Sequence, residues 1–318
     1  MRKRGYSSIG DNDMPIQDHQ LLIESFSLHE GHVHGVSSVV ATRRSPYQVI
    51  EIVELGSYGK ALILDGKVQS TTLDEFIYHE SIIHPAMLCH PEPRRVFVVG
   101  GGEGAPVREI LKHRSVESVL MVDIDSEVVD LCRRHLPEMS AGAFEDKRVR
   151  VEFMDARAFL ESSDQTFDII IIDISEPIEE GPAYLLFTQE FYKIVFDRLT
   201  EHGALAVQAG TISLAGLECF ATVHATLKSV FPVVAPYFAD IPSFGRPWGF
   251  LFAGKGRHPA AFSREEIDRK IRETVHGDLR YYDGETHAMA FSLPKHVREQ
   301  LAAEKRIIED NHPLFAFR

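Results

Sequence analysis

The feature that most constrains the fold is a series of short apolar segments from Arg94 onward, each separated from the next by an amphipathic stretch. The segments are Val96 to Gly100, Val119 to Asp123, Val149 to Phe153, Phe167 to Asp173, Ala204 to Gln208 and Val233 to Tyr237, with a last one from Trp248 to Ala253. Helical patterns begin near Ala105, Ser126, Arg157, Thr188 and Gly216, and two more are expected from about Glu265 and from Pro294 to Lys305. Strands that are apolar throughout are buried on both faces, and the helices between them supply the crossovers of a parallel sheet. The spacing predicts an α/β fold with a mostly parallel sheet over residues 89–318.

Residues 27–88 follow another period. Tyr47 to Leu55 alternates and is rich in β-branched residues, while Ala61 to Leu64 and Val68 to Thr71 flank Asp65-Gly66, a pair that favours the positive φ angles of a tight hairpin. This pattern predicts a small antiparallel β-domain of about six short strands. A helix from Asp74 to Met87 should follow, ending before Pro91-Glu92-Pro93. Residues 1–26 are polar, lack the apolar core of a secretory signal, and are expected to form a tail. Three scattered cysteines, Cys89, Cys132 and Cys219, suit neither a disulfide framework nor a zinc site, so a cytoplasmic protein with reduced thiols is expected. No apolar run approaches the roughly 18 residues of a membrane span. A formal charge of −13 argues against nucleic acid and is compatible with a cationic small molecule.

The strand ending at Val99 runs into Gly100-Gly101-Gly102-Glu103-Gly104 and then a helix, an arrangement that lets a ligand approach the backbone at a helix N-terminus. Asp123 ends the next strand 23 residues after Gly100, where a ribose hydroxyl pair is usually held. Asp155, after the third strand, could accept from an adenine amino group. Three acids at successive strand ends point to an adenosine ligand. Glu103 narrows it further. A carboxylate in the glycine turn repels a pyrophosphate, or the carboxylate of S-adenosylmethionine, by about 1 to 4 kcal/mol at roughly 4 Å. Decarboxylated S-adenosylmethionine ends in an ammonium, which Glu103 attracts.

At the end of the fourth strand stands Asp173-Ile174-Ser175-Glu176-Pro177, then Gly181-Pro182. Ligands of open α/β sheets bind at the carboxyl ends of strands, so Asp173 and Glu176 should face the same crevice and suit the ammonium groups of a polyamine. An amine nitrogen attacking the carbon beside a sulfonium must lose a proton, and Asp173 is the expected acceptor. Gln48, Gln69, Asp74, Glu75, Tyr78, His79 and Glu80 are expected around it, with Glu75 and His79 on one helix face and Asp74 and Tyr78 likewise. From the pattern alone, a capped and solvated helix start accounts for the same residues.

These residues resemble the polyamine aminopropyltransferases, the spermidine synthase family, over about residues 45–255. The resemblance rests on Tyr47-Gln48, Leu64-Asp65-Gly66 with Gln69, Asp74-Glu75 with Tyr78-His79-Glu80, His84-Pro85, Gly100 to Gly104, Arg108-Glu109, Asp155-Ala156, Asp173 to Pro177 and Gly181-Pro182. It implies a methyltransferase-like Rossmann domain behind the β-domain, which would contribute a lid over the substrate site and oligomer contacts in a homodimer or homotetramer. It also implies decarboxylated S-adenosylmethionine as co-substrate, with no prosthetic group. Gln48, Asp123, Asp155, Ala156 and Pro182 would contact the methylthioadenosine part of the co-substrate, which Gly100, Gly102 and Glu103 would also help to bind. Gln69, Asp74, Tyr78, His79, Glu103, Asp173, Glu176 and Phe244 would serve the aminopropyl and amine part. Glu103, Asp123 and Glu176 stand where the family usually has Asp, Glu and Asp, and Phe244 replaces a usual Tyr in an Ile-Pro-Thr-Tyr pattern. The first two exchanges, with Gln208-Ala209-Gly210 and Trp248-Gly249-Phe250, are similar to the branch of thermospermine synthases and agmatine aminopropyltransferases. Putrescine, agmatine and spermidine all stand as acceptors.

Two other functions compete: S-adenosylmethionine-dependent methyl transfer, opposed by Glu103, and non-catalytic polyamine binding, opposed by the Asp173, His79 and Gln48 set. His29, His32 and His34 are expected to be exposed, and no metal ligands are assigned. Tyr281 to His287 could touch substrate or an oligomer interface.

Overall fold

The computed structural model describes residues 20–26, 30–177 and 183–316. Five strands, β1 (Gln20–Ser25), β2 (Gly31–Arg44), β3 (Val49–Leu55), β4 (Gly59–Leu64) and β5 (Lys67–Thr71), form an antiparallel sheet in sequence order. The β4–β5 turn takes φ of 46° at Asp65 and 74° at Gly66, the left-handed pair that Asp-Gly favours. The expected six short strands are five because β2 runs unbroken for 14 residues. The expected tail also ends earlier. Gln20–Ser25 pairs with Gly31–Val36 as the sheet's edge strand, since Leu22 and Glu24 turn inward while Leu21 and Ile23 face out. Residues 1–19 of that tail lie outside the described residues.

Helix α1 (Glu75–Cys89) leads to the second sheet, made of β6 (Arg95–Gly100), β7 (Ser118–Asp123), β8 (Val149–Phe153), β9 (Phe167–Asp173), β10 (Leu199–Thr211), β11 (Val233–Ile241) and β12 (Arg246–Gly254). Its order is β11-β12-β10-β9-β6-β7-β8; β8, β7, β6, β9 and β10 are mutually parallel and β12 is antiparallel to both neighbours. The connecting helices are α2 (Ala105–Leu111), α3 (Ser126–His135), α4 (Pro137–Ser140), α5 (Ala156–Ser162), α6 (Gln189–Arg198) and α7 (Leu217–Lys228), followed by α8 (Arg264–Thr274), α9 (Gly284–Ala290) and α10 (Lys295–Ala303). The fold is therefore α/β and Rossmann-like, with a smaller antiparallel sheet before it.

Alternation along the central strands builds two cores. Val96, Val98, Ile169 and Ile171 pack with Tyr78, Ile82 and Met87 of α1, whereas Phe97, Val99, Ile170 and Ile172 pack with Phe191, Tyr192 and Phe220 of α6 and α7. α1 is buried nearly all round, so it is neither solvated nor amphipathic; it is a central pillar that carries polar residues into the interior. The segment from Arg280 to His287 packs behind it. Glu80 accepts the backbone N–H groups of Arg280, Tyr281 and Tyr282, each at 2.8 Å, and the Tyr282 hydroxyl meets His287 Nδ1 at 2.5 Å. That segment does not line the cavity described next.

Candidate active site

Strand order reverses between β6 and β9, which opens a crevice at their carboxyl ends. Gly100 pairs with Asp173 across this point, and the Gly101 N–H donates to the Asp173 carbonyl at 3.0 Å. Gly100 has a φ of +78°, and a Cβ there would lie 2.2 Å from the Asp173 carbonyl oxygen. Only glycine lets the turn close this tightly beside the acid. A cavity of about 270 Å³ fills the crevice, floored by the β6, β7 and β9 ends and roofed by Gln48, Leu62, Leu64 and Gln69 of the first sheet.

Of the expected site residues, Gln48, Gly100, Gly102, Glu103, Asp123, Asp155, Ala156, Gln69, Tyr78, Asp173, Glu176 and Phe244 line this cavity. Asp74 and His79 do not. Both sit one layer behind, because α1 turns them towards protein. Asp74 accepts from the Thr71 hydroxyl at 2.6 Å and the Ser243 N–H at 2.7 Å, tying α1 to the turn that carries Phe244. His79, 0% exposed, lies between Glu75 (Nδ1, 2.8 Å) and Glu103 (Nε2, 3.2 Å). Pro182 and His29 lie outside the described residues.

Three side chains set the chemistry. The Tyr78 hydroxyl donates to Asp173 Oδ1 at 2.5 Å, and no donor among the described residues reaches Oδ2. Burial, and then the Glu103 charge, push Asp173 up to about 6. Burial also acts to raise Glu103, but the hydrogen bond and charge of His79 outweigh it and hold Glu103 below the usual carboxylate range. Burial alone would lower His79; Glu103 and Glu75 reverse this and raise it to about 10, so a buried imidazolium anchors Glu103 as an anion. Arg108 reaches the same Glu75 oxygen at 2.8 Å and Glu109 at 2.9 Å, extending the network outward.

The adenosine end is built differently. Burial, then Asp125, Glu103 and Asp173, raise Asp123 to about 7. Asp125, which sequence reasoning missed, accepts from Gln48 Nε2 at 2.9 Å and Ser45 Oγ at 2.6 Å while capping α3. Its position before a helix start was the available signal. Asp155 spends Oδ1 on capping α5, through the N–H groups of Arg157 and Ala158, and leaves Oδ2 for a ligand. Ile124, Met154, Leu185 and Leu186 complete an apolar slot. At the opposite end, Glu24, Phe26, Lys67 and Trp248 join Glu176 and Phe244. Burial raises Glu176 above its ordinary range. Gln208 holds the loop between Asp173 and Glu176 by donating to the Ile174 carbonyl at 2.6 Å.

The Rossmann-like sheet, the acid at each strand end and a carboxylate raised by burial beside an anchored one define a class: a transferase for an adenosine-bearing cation. Comparison with known proteins makes the class specific. The spermine/spermidine synthase domain matches residues 75–263, and the spermidine synthase tetramerisation domain matches residues 26–72. The polyamine aminopropyltransferase of Sulfurisphaera tokodaii is 42% identical over 92% of this chain and 96% of its own length. That of Synechococcus sp. is 43% identical over 91% and 95%. A spermidine synthase crystallised with the transition state analogue AdoDATO superimposes with a TM-score of 0.84 at 30% identity, covering 92% of this chain and 99% of the other; the spermidine synthase of Thermotoga maritima gives 0.81 at 29%, covering 92% and 98%. The chain belongs to the spermine/spermidine synthase family and is an aminopropyltransferase.

Proposed function

We propose that the enzyme transfers the aminopropyl group of decarboxylated S-adenosylmethionine to an amine of the putrescine, agmatine or spermidine class, releasing 5′-methylthioadenosine. The observation that carries this reading is Glu103. It is a buried carboxylate kept ionised by His79, between Asp123 and Asp173, where a donor bearing a carboxylate would be repelled and one ending in an ammonium would be held.

In this reading Asp123 and Gln48 hold the ribose, Asp155 and Ala156 face the adenine, and Gly100 and Gly102 let the donor lie close to the backbone. Asp173 and Glu176 receive the acceptor amine, with Gln69, Tyr78 and Phe244 around it. The amine nitrogen attacks the carbon next to sulfur. The new C–N bond forms as the C–S bond breaks, the electron pair goes to sulfur, and a neutral thioether leaves. An alkylammonium has a pKa of about 10.4, so a base must take its proton. Asp173 Oδ2, which no donor among the described residues reaches, can do so, and Tyr78 fixes the other oxygen.

The antiparallel sheet roofs the cavity, and we assign it the role of lid and of contact surface in a homo-oligomer. Cys89, Cys132 and Cys219 are free, in keeping with a reducing cytoplasm. No helix among the described residues is long and apolar enough to cross a membrane. Incubating the enzyme with each sulfonium donor tests the reading. Methylthioadenosine release from the decarboxylated donor supports it, whereas S-adenosylhomocysteine from the ordinary donor overturns it. Sedimentation of the purified chain reads the oligomer directly, and a monomer would remove the assembly role.

A further inference from the structure

The histidines of β2 were expected to be exposed, and they are not. Along β2, period-two alternation turns His32 and His34 to the side of buried Val36, while Val33 is 51% exposed on the other face. Across the ladder Glu24 of β1 pairs with His32, and Leu22 pairs with His34. Glu24 is 6% exposed and His34 is 5% exposed. Glu24 Oε2, His32 Nδ1 and His34 Nε2 are all inaccessible, and none has a hydrogen-bond partner among the described residues. Gly245 accommodates the His32 ring, since a Cβ there would come within 2.6 Å of Nδ1.

Three orphaned polar atoms at one spot each carry a desolvation cost. Here they converge. One ligand atom from each of Glu24, His32 and His34 lies within 4.8 Å of the other two. His34 Nε2 and Glu24 Oε2 are 3.7 Å apart, too long for a hydrogen bond but near the roughly 3.3 Å that separates two ligands on a tetrahedral zinc ion with bonds of about 2.0 to 2.1 Å. Among the described residues, the second set with converging ligand atoms, His79 with Glu103 and Asp173, differs because both His79 nitrogens are already engaged. We propose that Glu24, His32 and His34 form a Zn(II) site of two imidazoles and one carboxylate, which clips the β1–β2 hairpin against the amine end of the cavity.

Supporting features stand around it. The neighbouring cations are Lys67 and Arg246, the latter with its guanidinium 3.1 Å over the Phe26 ring, and the Glu24 and Glu176 charges offset both. Since Glu24 and Phe26 both line the cavity, a metal here fixes the wall facing the distal part of the acceptor. The site takes no part in the transfer step and stands apart from the proposed reaction.

The test uses the full chain stripped by a chelator. Zn(II) is titrated against a chromophoric competitor, with Tm recorded in parallel, for the wild type, E24Q, H32A and H34Q, and for H312Q at an exposed histidine. Loss of a ligand should weaken binding at least as much as loss of a supporting partner, about 10- to 100-fold. The expected result is one tight equivalent in the wild type and H312Q, a Tm rise on binding, and weakening in the other three. Equal affinity in all five proteins, or no saturable equivalent, overturns the proposal. Should a variant fold poorly, X-ray absorption of the zinc-loaded wild type decides: a shell with two imidazoles at about 2.0 to 2.1 Å supports it, and a shell with one or none overturns it.

Discussion

Asp173 and Glu103 are neighbouring carboxylates with opposite histories. One is raised by burial and by its neighbour; the other is lowered by an imidazolium. The difference assigns their parts, since a base must be able to take a proton and an anchor must not. Asp173→Asn should reduce turnover by about 100- to 10,000-fold, measured as methylthioadenosine release, with little change in donor affinity. Near-full turnover at neutral pH would remove Asp173 as the base. Because the group must be ionised to act, kcat/KM should fall as pH drops through about 6, where the buried carboxylate takes up its proton. Glu103→Gln should cost the decarboxylated donor on the order of 1 to 4 kcal/mol of binding while costing ordinary S-adenosylmethionine less. Isothermal titration of both donors reads the narrowing, and an unchanged preference would contradict the role given to Glu103.

At the scale of elements, α1 does more than its sequence suggested. The spacing of Glu75 and His79 was legible as a shared helix face, and so was the glycine turn beside Asp173. That α1 is buried nearly all round was not legible, because its polar residues look solvated until tertiary partners such as Arg108 and the 280–282 backbone are in place. The parallel sheet was readable because strands buried on both faces leave continuous apolar runs. β1 was not, because its inward residues include Glu24, and polar inward positions erase the alternation. Likewise Asp74 was read as touching substrate, whereas it ties α1 to the Phe244 turn. Asp74→Ala should strip the Thr71 hydroxyl and Ser243 N–H of their partner and cost about 1 to 3 kcal/mol of stability. It should also raise KM for the amine more than KM for the donor. Urea unfolding and the two KM values check this, and a larger donor effect would point to direct contact with that substrate instead.

The molecule as a whole keeps its acids crowded where a cation is to bind. Asp123, Asp173 and Glu176 all rise through burial, so they oppose folding fully above their folded pKa values, progressively less as pH falls, and not at all below about pH 4. A polycationic amine should therefore raise Tm more at pH 8 than at pH 5.5, a difference that thermal scans can show. His79 works in the opposite direction. Its pKa is about 10 in the fold against roughly 6.5 unfolded, so its contribution is complete below about pH 6.5 and is lost as pH rises through 10. The stability gap between wild type and His79→Gln should shrink over that window; a gap that widens with pH would mean His79 is neutral in the fold. The acids of the cavity converge on a single transfer, and mass spectrometry of one reaction tests it. With decarboxylated S-adenosylmethionine and a panel of putrescine, agmatine and spermidine, methylthioadenosine should appear in equal amount with an amine one aminopropyl unit heavier. Donor consumption without such an amine, or no methylthioadenosine from any acceptor, would contradict it.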